Sequence, residues 1–225
     1  MKLGLIVAVE MEAVYKRFTN RKVIEVHNQK VEKFQIQNHT LYAIQCGPGE
    51  IAAAAATQLI ISEFGVDKIF NYGVVGGLTE DISKHRMCVV DNVVHYDFNT
   101  FEADGNEVGK YDHYDSIYMP TDRTLLKQAL AIVPELKPVN CASGDKFIGQ
   151  PKDKQKLYQK FNTEICEMEA AGILMTCDRN QVPCLMIKMV ADGLFGKAEE
   201  YYRVFSESSD KALDIMVTIL KEDAR

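Results

Sequence analysis

The chain has 225 residues, 47% of them hydrophobic, and carries a net charge of −6. That is apolar material for one sizeable core, and the length suits a single α/β domain over residues 1–225. The acidic balance and the lack of any basic run argue against a nucleic-acid groove or an anionic membrane as partner.

In chain order, Leu3 to Val9 reads as an uninterrupted apolar strand, the pattern of a strand covered on both faces. The opening segment Met1–Ala8 is too short for a signal-peptide core and is followed at once by Glu10, so a first core strand fits it better. Glu10 to Phe18 reads as a short helix, and 22–26, 33–37 and 40–46 as strands. Gly47-Pro48-Gly49 marks a turn before an Ala-rich helix over 50–61. Lys68–Asn71 reads as a buried strand running into a Gly-rich turn, Gly73-Val74-Val75-Gly76-Gly77. Strands follow at 88–94, 139–143 and 183–190, and helices at 124–133, 152–161, 170–179 and 205–222. Residues 97–120 are polar, rich in Tyr and Asp, and without periodicity, so they read as a long functional loop. Charges break every long apolar stretch, and none spans a bilayer. Six scattered cysteines with no C-x-x-C pair speak for free thiols in a reducing cytoplasm rather than a zinc or redox motif.

Alternating strands and helices predict a mixed sheet flanked by helices, where ligands sit beyond the carboxyl ends of strands. The residues with chemistry in them fall at such ends. Asp192 closes a buried strand and could protonate a leaving group or bind a ring nitrogen; the plainer alternative is a turn or helix-capping role before Gly193. Glu10 or Glu12, just past the first strand, could activate a water; the alternative is a favourable charge in a helix's first turn. Glu167 and Glu169 flank Met168 at the mouth of an apolar helix. A carboxylate there suits a vicinal diol and would stabilise positive charge developing on a sugar. Phe147, in Ser143-Gly144-Asp145-Lys146-Phe147-Ile148, could stack on a flat base or merely sit under a loop. Neither Gly-rich segment has the lysine and hydroxyl of a phosphate-binding loop or the spacing of a dinucleotide fingerprint.

Taken together and in order, Gly4–Glu12, Gly47–Ala54, Ser143–Ile148 and Glu167-Met168-Glu169-Ala170 resemble the 5′-methylthioadenosine/S-adenosylhomocysteine nucleosidase branch of the purine nucleoside phosphorylase family, nearly end to end. The resemblance implies a single-domain α/β fold of three layers, with a central, partly barrel-like mixed sheet. It implies hydrolysis of a purine nucleoside's N-glycosidic bond in a cytoplasmic homodimer, with no metal or organic cofactor. Glu12 would activate water, Asp192 would protonate purine N7, and Glu169, with Glu167 and the Met168 backbone, would hold the ribose. Phe147 and the Ile148 backbone would take the base, and Tyr202 and Phe205 the 5′ substituent. Three positions depart from the family pattern. Val74 replaces a hydroxyl residue, Lys188 an arginine and Ala191 a serine, which thins the hydrogen bonding around the nucleophile. Acidic and apolar residues where phosphorylases carry phosphate binders favour water over phosphate as nucleophile. A phosphorylase and a binding-only homologue are the alternatives.

Overall fold

The computed structural model describes residues 1–196 and 198–222. Its elements are β1 (Lys2–Val7), α1 (Met11–Arg17), β2 (Lys22–Val26), β3 (Gln29–Ile36), β4 (His39–Gln45), α2 (Glu50–Phe64), β5 (Lys68–Gly77), α3 (Glu80–His85) and β6 (Met87–His95), then α4 (Phe101–Asp104), β7 (Met119–Pro120), α5 (Arg123–Ile132), β8 (Lys137–Ser143), α6 (Pro151–Phe161), β9 (Ile165–Glu167), α7 (Ala170–Asn180), β10 (Cys184–Asp192) and α8 (Ala198–Glu222). The strands join in one sheet ordered β10-β6-β8-β9-β5-β1-β4-β3-β2. A further β10–β5 pairing closes the first five into a barrel.

β5 makes this topology possible. Its first half pairs in parallel with β1, Leu3 opposite Lys68 through Ile6 opposite Asn71, while its last two residues pair with β9. β10 runs parallel along its other flank. One long strand therefore belongs to the open sheet at one end and the barrel at the other. The sequence predicted that this strand stops at Asn71 and turns at Gly73–Gly77; the structure continues it to Gly77. The glycines are needed for close approach rather than for turning. A Cβ on Gly73 would sit 2.7 Å from Glu10 Oε1, and one on Gly76 would sit 3.0 Å from Cys166 Sγ.

Helices cover both faces, giving the three layers expected. α1, α5 and α8 bury Met11, Val14, Leu125, Ala129, Leu213 and Met216 against Leu3, Leu5, Phe70 and Leu185. On the other face α2 and α7 bury Ala53, Ile60, Ile173 and Leu174 against Ile6, Ile69 and Met186. The alanines of α2 let it lie close to α7: a Cβ on Gly172 would meet the backbone oxygen of Glu50 at 2.4 Å. α2 stops at Gly65, which adopts the left-handed conformation (φ 57°) that a glycine cap provides without strain. The 97–120 segment is mostly irregular, as read from the sequence, and holds only the single turn α4 and the short β7. Among the described residues no helix is long and apolar enough to cross a membrane, and all six cysteines are free.

Candidate active site

The carboxyl ends of β1, β5, β9 and β10 and the segments after β4 and β8 surround one cavity of about 240 Å³. Its walls include Glu10, Val74, Phe147, Ile148, Glu167, Met168, Glu169, Asp192, Tyr201 and Tyr202. Of the residues predicted from the sequence, Asp192, Glu169, Glu167, Met168, Phe147, Ile148, Val74 and Tyr202 are thus brought together. Three are not.

Glu12 is the main correction. It lies exposed on α1, whereas Glu10, the residue before the helix, is buried on the cavity wall. The chain turns out of β1 at Ala8–Glu10, and this turn aims the Glu10 side chain back over β5. There Oε1 accepts from the Val74 amide at 3.0 Å and Oε2 from the Val9 amide at 3.0 Å. The Tyr72 hydroxyl anchors the same turn by donating to the Glu10 carbonyl at 2.7 Å. Lys188 is also not a wall residue: it is buried behind the cavity with its ammonium 3.3 Å from Glu167. Phe205 stands behind Tyr201, ring centroids 5.5 Å apart. Tyr201, which the sequence reading did not single out, takes the wall position and meets Phe147 edge-on at 5.7 Å.

Behind Glu169 is a buried acidic network. Glu167 accepts from the amides of Glu169 at 3.1 Å and Ala170 at 2.9 Å, at the start of α7, where the helix's free N–H groups favour a negative charge. The Ser143 hydroxyl lies 2.5 Å from Glu167 and also contacts Glu50. A hydroxyl has one proton, so it can donate to only one of two carboxylates. The arrangement is satisfied if Ser143 donates to Glu167 and a protonated Glu50 donates to Ser143. Burial, reinforced by the charge of Glu167, pushes Glu50 up to about 8, consistent with that assignment. Glu169 is likewise raised to about 8 by burial and then by Glu167, although it accepts from the Gly49 amide at 3.0 Å. Burial works against the charge of Lys188, but Glu167 and Glu169 outweigh it and raise its pKa.

Asp192 is buried at the end of β10 beside Gly76. Its carboxylate is held at 2.5 Å by the ammonium of Lys154, a fully buried residue of α6 that the sequence reading passed over. The three positions that depart from the family pattern are accounted for individually. Val74 binds Glu10 through its backbone, so no hydroxyl is needed for that contact. Lys188 delivers its charge to Glu167. Ala191 is enclosed and adds no polar contact.

The anchoring points of the two facing acids lie on one strand: Glu10 at Val74 and Asp192 beside Gly76, two residues or about 6.6 Å apart along β5. A buried acid pair at the carboxyl ends of a closed barrel, in one cavity with converging polar groups, marks a candidate active site. Residues 2–221 match the Phosphorylase superfamily, and the chain belongs to that family. Among its relatives is the 5′-methylthioadenosine/S-adenosylhomocysteine nucleosidase of Staphylococcus epidermidis, 28% identical over 98% of this chain and 99% of that one. Two structures from Helicobacter pylori share the fold. Its futalosine hydrolase superposes with a TM-score of 0.92 at 22% identity, over 99% of this chain and 98% of that one. Its 5′-methylthioadenosine/S-adenosylhomocysteine nucleosidase, complexed with a pyrrolo[3,2-d]pyrimidine compound, also gives 0.92, at 23% identity over the same shares.

Proposed function

We propose that the protein hydrolyses the N-glycosidic bond of a purine nucleoside, with 5′-methylthioadenosine and S-adenosylhomocysteine the first candidates, and releases the free base and the ribosyl moiety. The observation that carries this reading is the burial of Glu10 and Asp192 in one cavity with Glu169, which the Gly49 amide holds at 3.0 Å. Glu10 activates the attacking water as general base. Asp192 supplies the proton to N7 as the C1′–N9 electron pair passes to the base. The sugar then carries developing positive charge, which draws Glu169 toward its ionised form and is stabilised by that carboxylate. Glu169, largely protonated near neutrality, can both donate to and accept from ribose hydroxyls, alongside the Met168 backbone and Glu167. Phe147 and the Ile148 backbone take the base, while Tyr201 and Tyr202, backed by Phe205, face the 5′ group. The expected assembly is a homodimer.

Water is favoured over phosphate by charge. A phosphate dianion needs cationic or hydroxyl partners. Among the described residues the cavity wall has one cation, Lys146, while Lys188 is committed to Glu167 and the Val74 amide to Glu10. The experiment is turnover of methylthioadenosine, adenosylhomocysteine, adenosine, inosine and futalosine, each with and without phosphate, following base and sugar. The expected result is base release that ignores phosphate and is lost in Asp192→Asn. Release only with phosphate would make the protein a phosphorylase, and no release from any substrate would leave a binding role.

A further inference from the structure

α6 is amphipathic, and its buried stripe reads Lys154, Leu157, Phe161, spaced three and four residues apart. A lysine on that stripe is costly unless all its donors are used. Here they are. The Lys154 ammonium lies 2.5 Å from Asp192 Oδ2, 2.8 Å from the Gly193 carbonyl and 3.2 Å from the Asp192 carbonyl. An ammonium has three N–H donors and no acceptor, so three oxygens saturate it in the charged form. No other described cation is placed on Asp192.

From this geometry we infer that Lys154 is a positioning residue for Asp192: it holds the carboxyl ionised in the free enzyme and stores, in the pair, the proton that the leaving base takes. The inference rests on the proposed hydrolysis for its kinetic arm but not for its spectroscopic one. In the step itself, the pair's proton sits on Asp192 as N7 accepts it. Lys154 is left neutral, the C1′–N9 electrons go to the base, and the hydroxide of the attacking water bonds to C1′. Glu10 takes the proton that this water releases and gives it up to solvent, from which the pair is reprotonated, so one water is consumed for one base freed.

The groups facing the pair are few. Cys166 of β9 is a neutral thiol, pushed up to about 12 by burial. Tyr201 and Glu200 come from α8. Glu200 is occupied by Arg86 at 2.7 Å and by the Gly193 amide at 3.3 Å. Burial raises the Asp192 pKa, and Lys154 opposes it through its hydrogen bond and charge. Removing Lys154 therefore leaves burial unopposed and puts the stored proton on the carboxyl alone.

The test compares wild type with Lys154→Met and Lys154→Arg. Infrared difference spectra against Asp192→Asn report the ionisation of Asp192 with no substrate present. The expected result is a protonated carboxyl band for Asp192 at neutral pH in Lys154→Met, absent from wild type and from Lys154→Arg. In turnover, the alkaline limb of kcat should fall by one pH unit or more in Lys154→Met, with at least a tenfold loss at pH 9 and a far smaller loss at pH 6, while KM changes little. Lys154→Arg, whose guanidinium does not give up a proton, should keep Asp192 ionised yet not restore the limb. Should Lys154→Met fail to fold by circular dichroism, Lys154→Gln, which keeps donors without the charge, takes its place. An unchanged carboxyl band overturns the inference, as does a loss of kcat that is uniform across pH. If wild type turns over no nucleoside, the hydrolase reading fails while the infrared result still decides the role of Lys154.

Discussion

Glu10 and Glu12 differ by two positions and by everything that matters to a general base. Glu10 is enclosed, its two oxygens fixed by two backbone amides, while Glu12 faces water on α1. Replacing Glu10 by Gln should lower kcat by about 10²–10⁴, the usual worth of a positioned acid–base group. Glu12→Gln should stay within about twofold of wild type in the same assay, since exposed substitutions away from the site are close to neutral. The sequence made an acid after the first strand legible but not which one. The choice depends on the turn at Ala8–Glu10, whose direction is set by contacts with Val74 and Tyr72, about sixty residues away in the chain. Glu50 and Glu169 carry a second prediction. Each has its pKa raised in the fold, from 4.5 to about 8. The unfolded chain therefore releases these protons at lower pH than the native one. The stability they contribute is complete below about pH 4.5 and is lost as pH rises toward 8. Thermal melting should show Tm falling over that window, and Glu50→Gln, which cannot ionise, should flatten the slope.

At the scale of elements, periodicity located the strands and helices that have one clear face, and failed where chemistry displaced it. The glycines of β5 resemble a turn in the sequence, yet Gly73 and Gly76 keep the strand going while making room for Glu10 and Cys166. α8 starts at Ala198 rather than Phe205. Its first turns, Ala198–Arg203, are polar and lack an apolar stripe, so the periodicity that marks the rest of the helix is missing where Tyr201 reaches the cavity. The short α3 likewise has no apolar stripe to mark it, although Thr79 caps it by accepting from the Ile82 amide at 3.3 Å. The close contact of α2 with α7 gives a prediction at this scale. A side chain at Gly172 would strike the Glu50 backbone, which has no freedom to move aside, and would disturb the carboxyl that Ser143 and the Gly172 amide hold. Gly172→Ala should destabilise the protein by about 1–3 kcal/mol, the range for overpacking, and the loss is measured by urea denaturation. Tyr201→Ala should raise KM for nucleosides with a bulky 5′ group more than it changes kcat, because it removes cavity wall and leaves Glu10 and Asp192 in place.

For the whole molecule, the three-layer architecture and the barrel-like sheet followed from the resemblance to the family, but the strand pairing that closes the barrel did not. It depends on β10 pairing with both β5 and β6, a choice between partners that no local pattern encodes. The buried charges show the same division. Acids at strand ends are visible in a sequence; which lysine balances which acid is not, because Lys154 and Lys188 come from a helix and a strand far from their partners in the chain.

The cavity draws its walls from Ala8 at one end of the chain to Tyr202 near the other. A chain growing from its amino end thus acquires Glu10 early, Glu169 and Asp192 much later, and Tyr201 last, when α8 begins. The acids are complete once β10 is made, but the wall is not until α8 follows. A chain cut between β10 and α8 has every acid of the site and an unwalled cavity, so activity should return when the two separately expressed pieces reassociate, and its recovery would time the docking of the last helix.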